Sequence, residues 1–228
     1  MRASVGLVAY GVREWALKSV AAICLYGGLV GAAQAEVTVA ALGDSLTQGY
    51  GLVQSEGFVP QLQAWLRDQG ADVTVVNAGV SGDTTAGGLS RVDWTLTPDV
   101  DAMIVALGGN DLLRGIDPAN SKANLNGILA AADEAGVPVL MIGMEAPGNY
   151  GADYKEAFDG MYGELAAEWD VALAEASFLG TLMEIEDRAA ASARYMQSDG
   201  IHPNAEGVAL IVEALGPEVL ELVERAAE

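Results

Sequence analysis

One histidine and one cysteine stand in a chain of 228 residues. Cys24 lies in an apolar N-terminal stretch, so the rest of the chain can form no disulfide and offers no thiolate. With His202 alone, and no His-x-x-x-His pair, a metal hydrolase would have to be built from carboxylates only. No metal and no other cofactor is expected. Positive charge is also scarce, with 11 basic against 32 acidic residues. Such a surface repels phosphate backbones, which excludes nucleic acid as a natural partner. Its simplest meaning is solubility. No Gly-x-Ser-x-Gly nucleophile elbow occurs, and no apolar run reaches the ~20 residues that span a bilayer.

What the N-terminus does contain is an export layout. Arg2, Arg13 and Lys18 precede the apolar run Val20–Ala33, which closes on Ala33-Gln34-Ala35 before Glu36. This is the order of a secretory signal with its small-residue cleavage site; a retained N-terminal anchor is the competing reading. Residues 1–35 are therefore expected to be a signal peptide, and residues 36–228 one exported domain, periplasmic or extracellular. Ile23 before Cys24 replaces the small residue that lipoprotein cleavage needs, so no lipid anchor is expected. Loss of Glu14 and the three basic residues leaves 31 acids against 8 bases.

Along the mature chain, apolar β-branched runs alternate with amphipathic stretches. Strands are expected at Val37–Leu42, from Asp72, from Asp101, over residues 137–144 and at Val171–Ala174. Helices are expected over residues 57–69, 84–96, 118–135, 154–169 and 178–191, and from Ala205 onward, where Pro217 should kink or split the last one. Five strand–helix alternations with nearly continuous apolar strands predict a parallel sheet covered on both faces. Ligands bind such sheets beyond the carboxyl ends of the strands.

The loops at those ends carry the chemistry. Strand one runs into "LGDSLTQGYG", strand two into "NAGVSGDTTAGG", strand three into "LGGNDLLRG", and "SDGIHPN" precedes the final helix. A serine hydroxyl needs an adjacent base, and His202 is the one side chain suited to take its proton near neutrality. The imidazole in turn needs a carboxylate on its other nitrogen, and Asp199 lies three residues upstream in the same glycine-containing turn. The oxyanion formed on an ester carbonyl needs preorganised donors. The amide beside Ser45, one in the glycine-rich second loop and the Asn110 side chain would supply them. Each residue alone has a plainer reading: Ser45 and Asn110 as helix caps, Gly82 as a tight turn, Asp44 and Asp111 as turn-holding groups. Joint placement in four post-strand loops is what favours catalysis.

The blocks "GDSL" at 43–46, "VSGDT" around Gly82, "GGND" at 108–111 and "DGIHPN" at 199–204 resemble the SGNH, or GDSL, hydrolases. The likeness covers the whole mature chain and is greatest to the arylesterase and lysophospholipase/thioesterase I branch. It implies a flavodoxin-like three-layer α/β/α sandwich, with Ser45 as nucleophile and His202 and Asp199 as its base pair. Ser45 N–H, Gly82 N–H and Asn110 would form the oxyanion hole. The implied substrate is a small-molecule ester or thioester: an aryl or short- to medium-chain ester first, then a lysophospholipid, an acyl thioester or an acetylated sugar. By position, Tyr150 and Tyr154 in "EAPGNYGADY" would border the acyl pocket. A non-catalytic binding module on the same fold would be expected to lack one of these groups, yet all are present. Oligomeric state is not legible.

Overall fold

The computed structural model describes residues 36–228. The expected signal segment, and Cys24 with it, lies outside the described residues. Five strands form one all-parallel sheet: β1 (Val37–Gly43), β2 (Val73–Gly79), β3 (Ala102–Ala106), β4 (Val139–Met141) and β5 (Ala172–Leu173). Their order is β2-β1-β3-β4-β5, so the chain leaves β1 for one side and later returns to the other. That reversal opens a crevice at the carboxyl ends of β1 and β3. The register levels those ends, because Gly43 is aligned with both Gly79 and Ala106. Three post-strand loops consequently start from the same height.

Both faces of the sheet are covered. Helices α2 (Phe58–Asp68) and α9 (Ala205–Ala226) pack together in one layer. The opposite layer holds α3 (Thr85–Thr95), α5 (Pro118–Ala135) and α6 (Ala152–Trp169). Short helices α1 (Ser45–Gln48) and α4 (Gly109–Leu113) follow β1 and β3 directly. The core-facing stripe of α2 is Phe58, Leu62 and Leu66; that of α9 includes Val208, Ile211, Leu215 and Val219. β3 is buried along its whole length, as its unbroken apolar sequence anticipates. The expected flavodoxin-like three-layer sandwich is the observed fold.

Capping follows local chemistry. Thr84, Asp117 and Asn204 accept backbone N–H groups at the starts of α3, α5 and α9, and Pro118 occupies the first turn of α5. Asp111, fully buried, accepts the Thr85 amide at 2.8 Å and the hydroxyls of Thr85 and Ser121 at 2.6 and 2.8 Å. It ties the starts of α3 and α5 to α4, a structural role consistent with its reading as a holding residue. Gly43 is required by close approach: a Cβ there would collide with the Thr47 side chain and crowd the Ala106 carbonyl.

Two expectations are revised. Pro217 does not split α9, which runs unbroken through it. Both Pro217 and Glu213, whose carbonyl loses its partner, are exposed, so water can satisfy the freed acceptor while the apolar stripe holds the helix. The expected helix over 178–191 is instead two pieces, α7 (Gly180–Met183) and α8 (Arg188–Tyr195). Asp187 accepts the Ala190 amide at 3.0 Å and starts a new helix after the acidic linker.

Candidate active site

Ser45 is the first residue of α1, immediately beyond the carboxyl end of β1. Asp44 caps this helix by accepting the Leu46 amide at 2.9 Å, and its own carboxylate is almost wholly buried. Burial pushes the Asp44 carboxyl above its ordinary pKa, opposed by the bonds from Leu46 and Asn110. The turn thereby points the serine hydroxyl out over the sheet edge.

The histidine loop reaches it from the far end of the sequence. A bridge between Met196 and Pro203, with the Gln197 amide on the His202 carbonyl at 2.8 Å, closes the loop into a hairpin-like turn. Gly200 takes a left-handed conformation inside it. Asp199 Oδ1 then accepts the amides of Ile201 and His202 at 2.9 and 3.0 Å, while Oδ2 lies 2.7 Å from His202 Nδ1. These bonds, led by the His202 amide, lower the Asp199 carboxyl to a pKa of about 2. His202 Nε2 lies 2.8 Å from Ser45 Oγ, across 157 residues of sequence. A carboxylate can only accept, so Nδ1 carries the proton and Nε2 is left to accept from the serine.

Gly82, Asn110, Ser45 and His202 line one cavity of about 310 Å³. Gly82 sits at φ +84°, a left-handed conformation that a side chain would strain. Its carbonyl accepts the Arg114 guanidinium at 2.8 Å. Asn110 Nδ2 donates to Asp44 Oδ2 at 3.2 Å, which fixes the amide with nitrogen towards the site and leaves its second hydrogen available. Within the described residues, neither the Ser45 nor the Gly82 amide is engaged by another group. Such unpaired amides, with the Asn110 nitrogen, could bind a negative oxygen. The apolar wall of the cavity comes from Leu113, Met144, Leu179, Met183 and Ile201.

Tyr150 and Tyr154 do not line this cavity. Tyr154 lies in the first turn of α6, stacks on Phe158 and donates its hydroxyl to the Ile116 carbonyl at 3.0 Å. Tyr150 packs on Tyr154 with ring centroids 4.9 Å apart. Helix packing has claimed the Tyr154 ring, and Tyr150, 45% exposed, lies against it.

Four contributors were not legible as such. Tyr50 leans on the His202 ring, centroids 4.7 Å apart, and its carbonyl accepts the Gln197 side chain, which also bonds Pro203. Gln197 thus ties the serine loop to the histidine loop. Arg91 spans the carbonyls of Gly43 and Ala78 and pairs with Asp83 at 2.7 Å, holding the ends of β1 and β2 beside Gly82. Arg114 secures Gly82 itself. The one available signal was that Arg114 is the sole base in the third post-strand loop. Among the described residues, no group of three or more His, Cys, Asp or Glu side chains is placed to hold a metal ion.

Residues 41–210 match the GDSL-like lipase/acylhydrolase family. The esterase TesA of Pseudomonas aeruginosa is 39% identical over 201 residues, covering 88% of this chain and 96% of that protein. An arylesterase of Vibrio mimicus is 33% identical over 202 residues, covering 87% and 96%. The crystal structure of AlinE4, an SGNH-hydrolase family esterase, superposes with a TM-score of 0.66 at 42% identity, covering 82% of this chain and 96% of that one.

Proposed function

The chain belongs to the GDSL-like lipase/acylhydrolase family and is a carboxylic ester hydrolase, and from that premise we propose that it works through an acyl-enzyme on Ser45. The observation that carries this reading is the relay from Ser45 Oγ to His202 Nε2 at 2.8 Å and from His202 Nδ1 to Asp199 at 2.7 Å. Ser45 Oγ attacks the acyl carbon while its proton passes to His202 Nε2. Asp199 remains ionised and stabilises the imidazolium. The carbonyl oxygen, now negative, is held by the Ser45 and Gly82 amides and by Asn110 Nδ2. Collapse of this intermediate expels the alcohol or phenol, which leaves with the proton from His202. Water then adds to the acyl carbon by the same route, releases the acid and restores Ser45.

A cavity of about 310 Å³ with an aliphatic wall suits an aryl or short- to medium-chain ester. The relatives named esterase and arylesterase support the same preference. The export layout of residues 1–35 supports action outside the cytoplasm, and among the described residues no helix is long and apolar enough to cross a membrane.

A fluorophosphonate probe incubated with the mature protein should modify Ser45 alone and stop hydrolysis of p-nitrophenyl butyrate in proportion to labelling. Full hydrolysis by fully labelled protein would refute the acyl-enzyme. Asn110→Ala should lower kcat by roughly 10²–10³-fold with little change in KM, as loss of an oxyanion donor does. A loss below tenfold would remove Asn110 from the oxyanion hole.

A further inference from the structure

Charge of one sign lines the catalytic cavity. Its wall includes two carboxylates, Asp44 and Glu145, and no lysine or arginine. Asp44 is buried, and its oxygens accept the Leu46 amide and the Asn110 side chain. Glu145 is exposed, and within the described residues its carboxylate accepts only the Ser177 hydroxyl, at 3.3 Å. The neighbouring bases are engaged elsewhere. Lys155 donates to the Ala146 carbonyl and pairs with Asp159, while Arg114 is held by the Gly82 carbonyl. Arg188 lines an adjoining hollow, across the shared side chains of Leu179, Met183 and Ile201. Among the described residues, no ion pair involves Glu145.

Sheet order places this carboxylate. Ser45 follows β1, Asn110 follows β3, and Glu145 comes shortly after β4, with these three strands side by side. Two strand spacings along the sheet edge amount to about 10 Å. Glu145 is therefore well removed from the reacting carbon, beyond Asn110. Ser177, which follows β5, turns its hydroxyl back onto it. The leaving oxygen must stay within reach of His202, which bonds Ser45 at the β1 end. The acyl substituent is the part that can extend along the edge towards β4. Met144, Leu179 and Met183 give that path an apolar wall. A cleft with low-dielectric walls and charge of one sign focuses its field and concentrates ligands of the opposite sign.

We infer that Glu145 sets a charge preference in the catalytic cavity, favouring esters whose acyl chain ends in an ammonium group over those ending in a sulfonate or carboxylate. The inference rests on the acyl-enzyme reading and deepens it by naming a substrate class. Ser45 and His202 already require a ligand; Glu145 decides what its far end can carry. A cationic nitrogen four bonds of ~1.5 Å from the ester carbonyl carbon, with an ion-pair contact of ~4 Å, covers the distance.

The test compares p-nitrophenyl esters of nearly one size: γ-(trimethylammonio)butyrate, its neutral isostere γ-tert-butylbutyrate, and γ-sulfobutyrate. Ratios of kcat/KM among the three cancel any change in overall activity. In the wild type at low salt, the cationic ester should exceed the neutral one, and the anionic ester should fall below it. The cationic preference should weaken between about 20 mM and about 0.5 M sodium chloride, as screening requires. Glu145 is exposed, so its replacement leaves the core intact. Glu145→Gln should lower the cationic-to-neutral ratio about three- to fivefold, the size of one solvent-exposed ion pair. Glu145→Lys should lower it further and raise the anionic-to-neutral ratio. Unchanged ratios in both variants would overturn the inference. So would shifts confined to acetate esters charged on the alcohol, which would put the cation on the leaving group. Hydrolysis of all three esters that survives Ser45→Ala would refute the underlying reading. Unchanged ratios with Ser45-dependent hydrolysis remove only the role of Glu145.

Discussion

Ser45→Ala is expected to lower kcat on p-nitrophenyl butyrate by ~10⁶-fold while leaving the fold and its thermal stability nearly unchanged. Oγ is the only atom lost, and its partner His202 keeps the Asp199 bond that orients it. The hydroxyl is not part of the core, so its removal creates no cavity in the sheet or helix layers. His202→Ala should cause a loss of similar size, because the serine is then a neutral alcohol with no base. The double variant should be scarcely worse than either single one, since the two groups act as a unit. Burst-phase and steady-state rates, with circular dichroism as the control for folding, measure all three. A Ser45→Ala enzyme within tenfold of wild type would end the covalent mechanism.

Asp199→Asn should be next in size, roughly 10⁴-fold in kcat, because an amide can donate to Nδ1 and so favour the wrong tautomer of His202. The pH dependence gives this variant a second signature. Asp199 has a pKa of about 2 in the folded protein, below its ordinary value, chiefly through the His202 amide, then the His202 ring and the Ile201 amide. A carboxyl lowered by folding adds stability that is complete above the unfolded carboxylate pKa of about 4. That stability is lost as pH falls from there through about 2. Between pH 4 and 7 the wild-type carboxylate stays ionised, so an acidic fall in kcat/KM within that window does not come from Asp199. In Asp199→Asn the imidazolium formed during turnover loses its counter-charge, so the plateau drops. The stability difference between wild type and variant should narrow below pH 4. Profiles of kcat/KM and of thermal midpoint against pH test both; a stability difference that does not narrow below pH 4 would show that the folded loop does not hold Asp199 ionised.

The parts of this protein that were readable from its sequence share a local cause. Strand runs such as Val37–Gly43 and Ala102–Ala106 declare themselves because burial on both faces demands continuous apolar residues. The caps Asp117 and Asn204 satisfy amides only two or three residues away, and Asp199 and His202 share one short turn. The four loop motifs were legible because each keeps its residue types within a few positions. Parallel topology, itself implied by strand–helix alternation, then requires those loops to meet at one edge.

Only the tertiary structure decided the rest, because the deciding contacts join residues far apart in sequence. The Arg114 bond to the Gly82 carbonyl spans 32 positions, the Asn110 bond to Asp44 spans 66, and the Gln197 bond to Tyr50 spans 147. No window along the chain contains both partners of any of these bonds. The same is true of Tyr150 and Tyr154, whose proximity to the active-site loops gave way to packing on α6, and of Pro217, tolerated because its face of α9 meets water. The apolar wall of the catalytic cavity shows the division most clearly. Leu113, Leu179 and Met183 lie outside the four motif blocks, Ile201 falls inside one without a catalytic role, and the spacing of the four fits no single helix or strand. They form one boundary because the sheet order brings the loop after β3, helix α7 and the histidine turn to the same edge. Sequence thus determined which chemistry this protein carries; the packing of distant segments decided the shape of the space in which a substrate meets it.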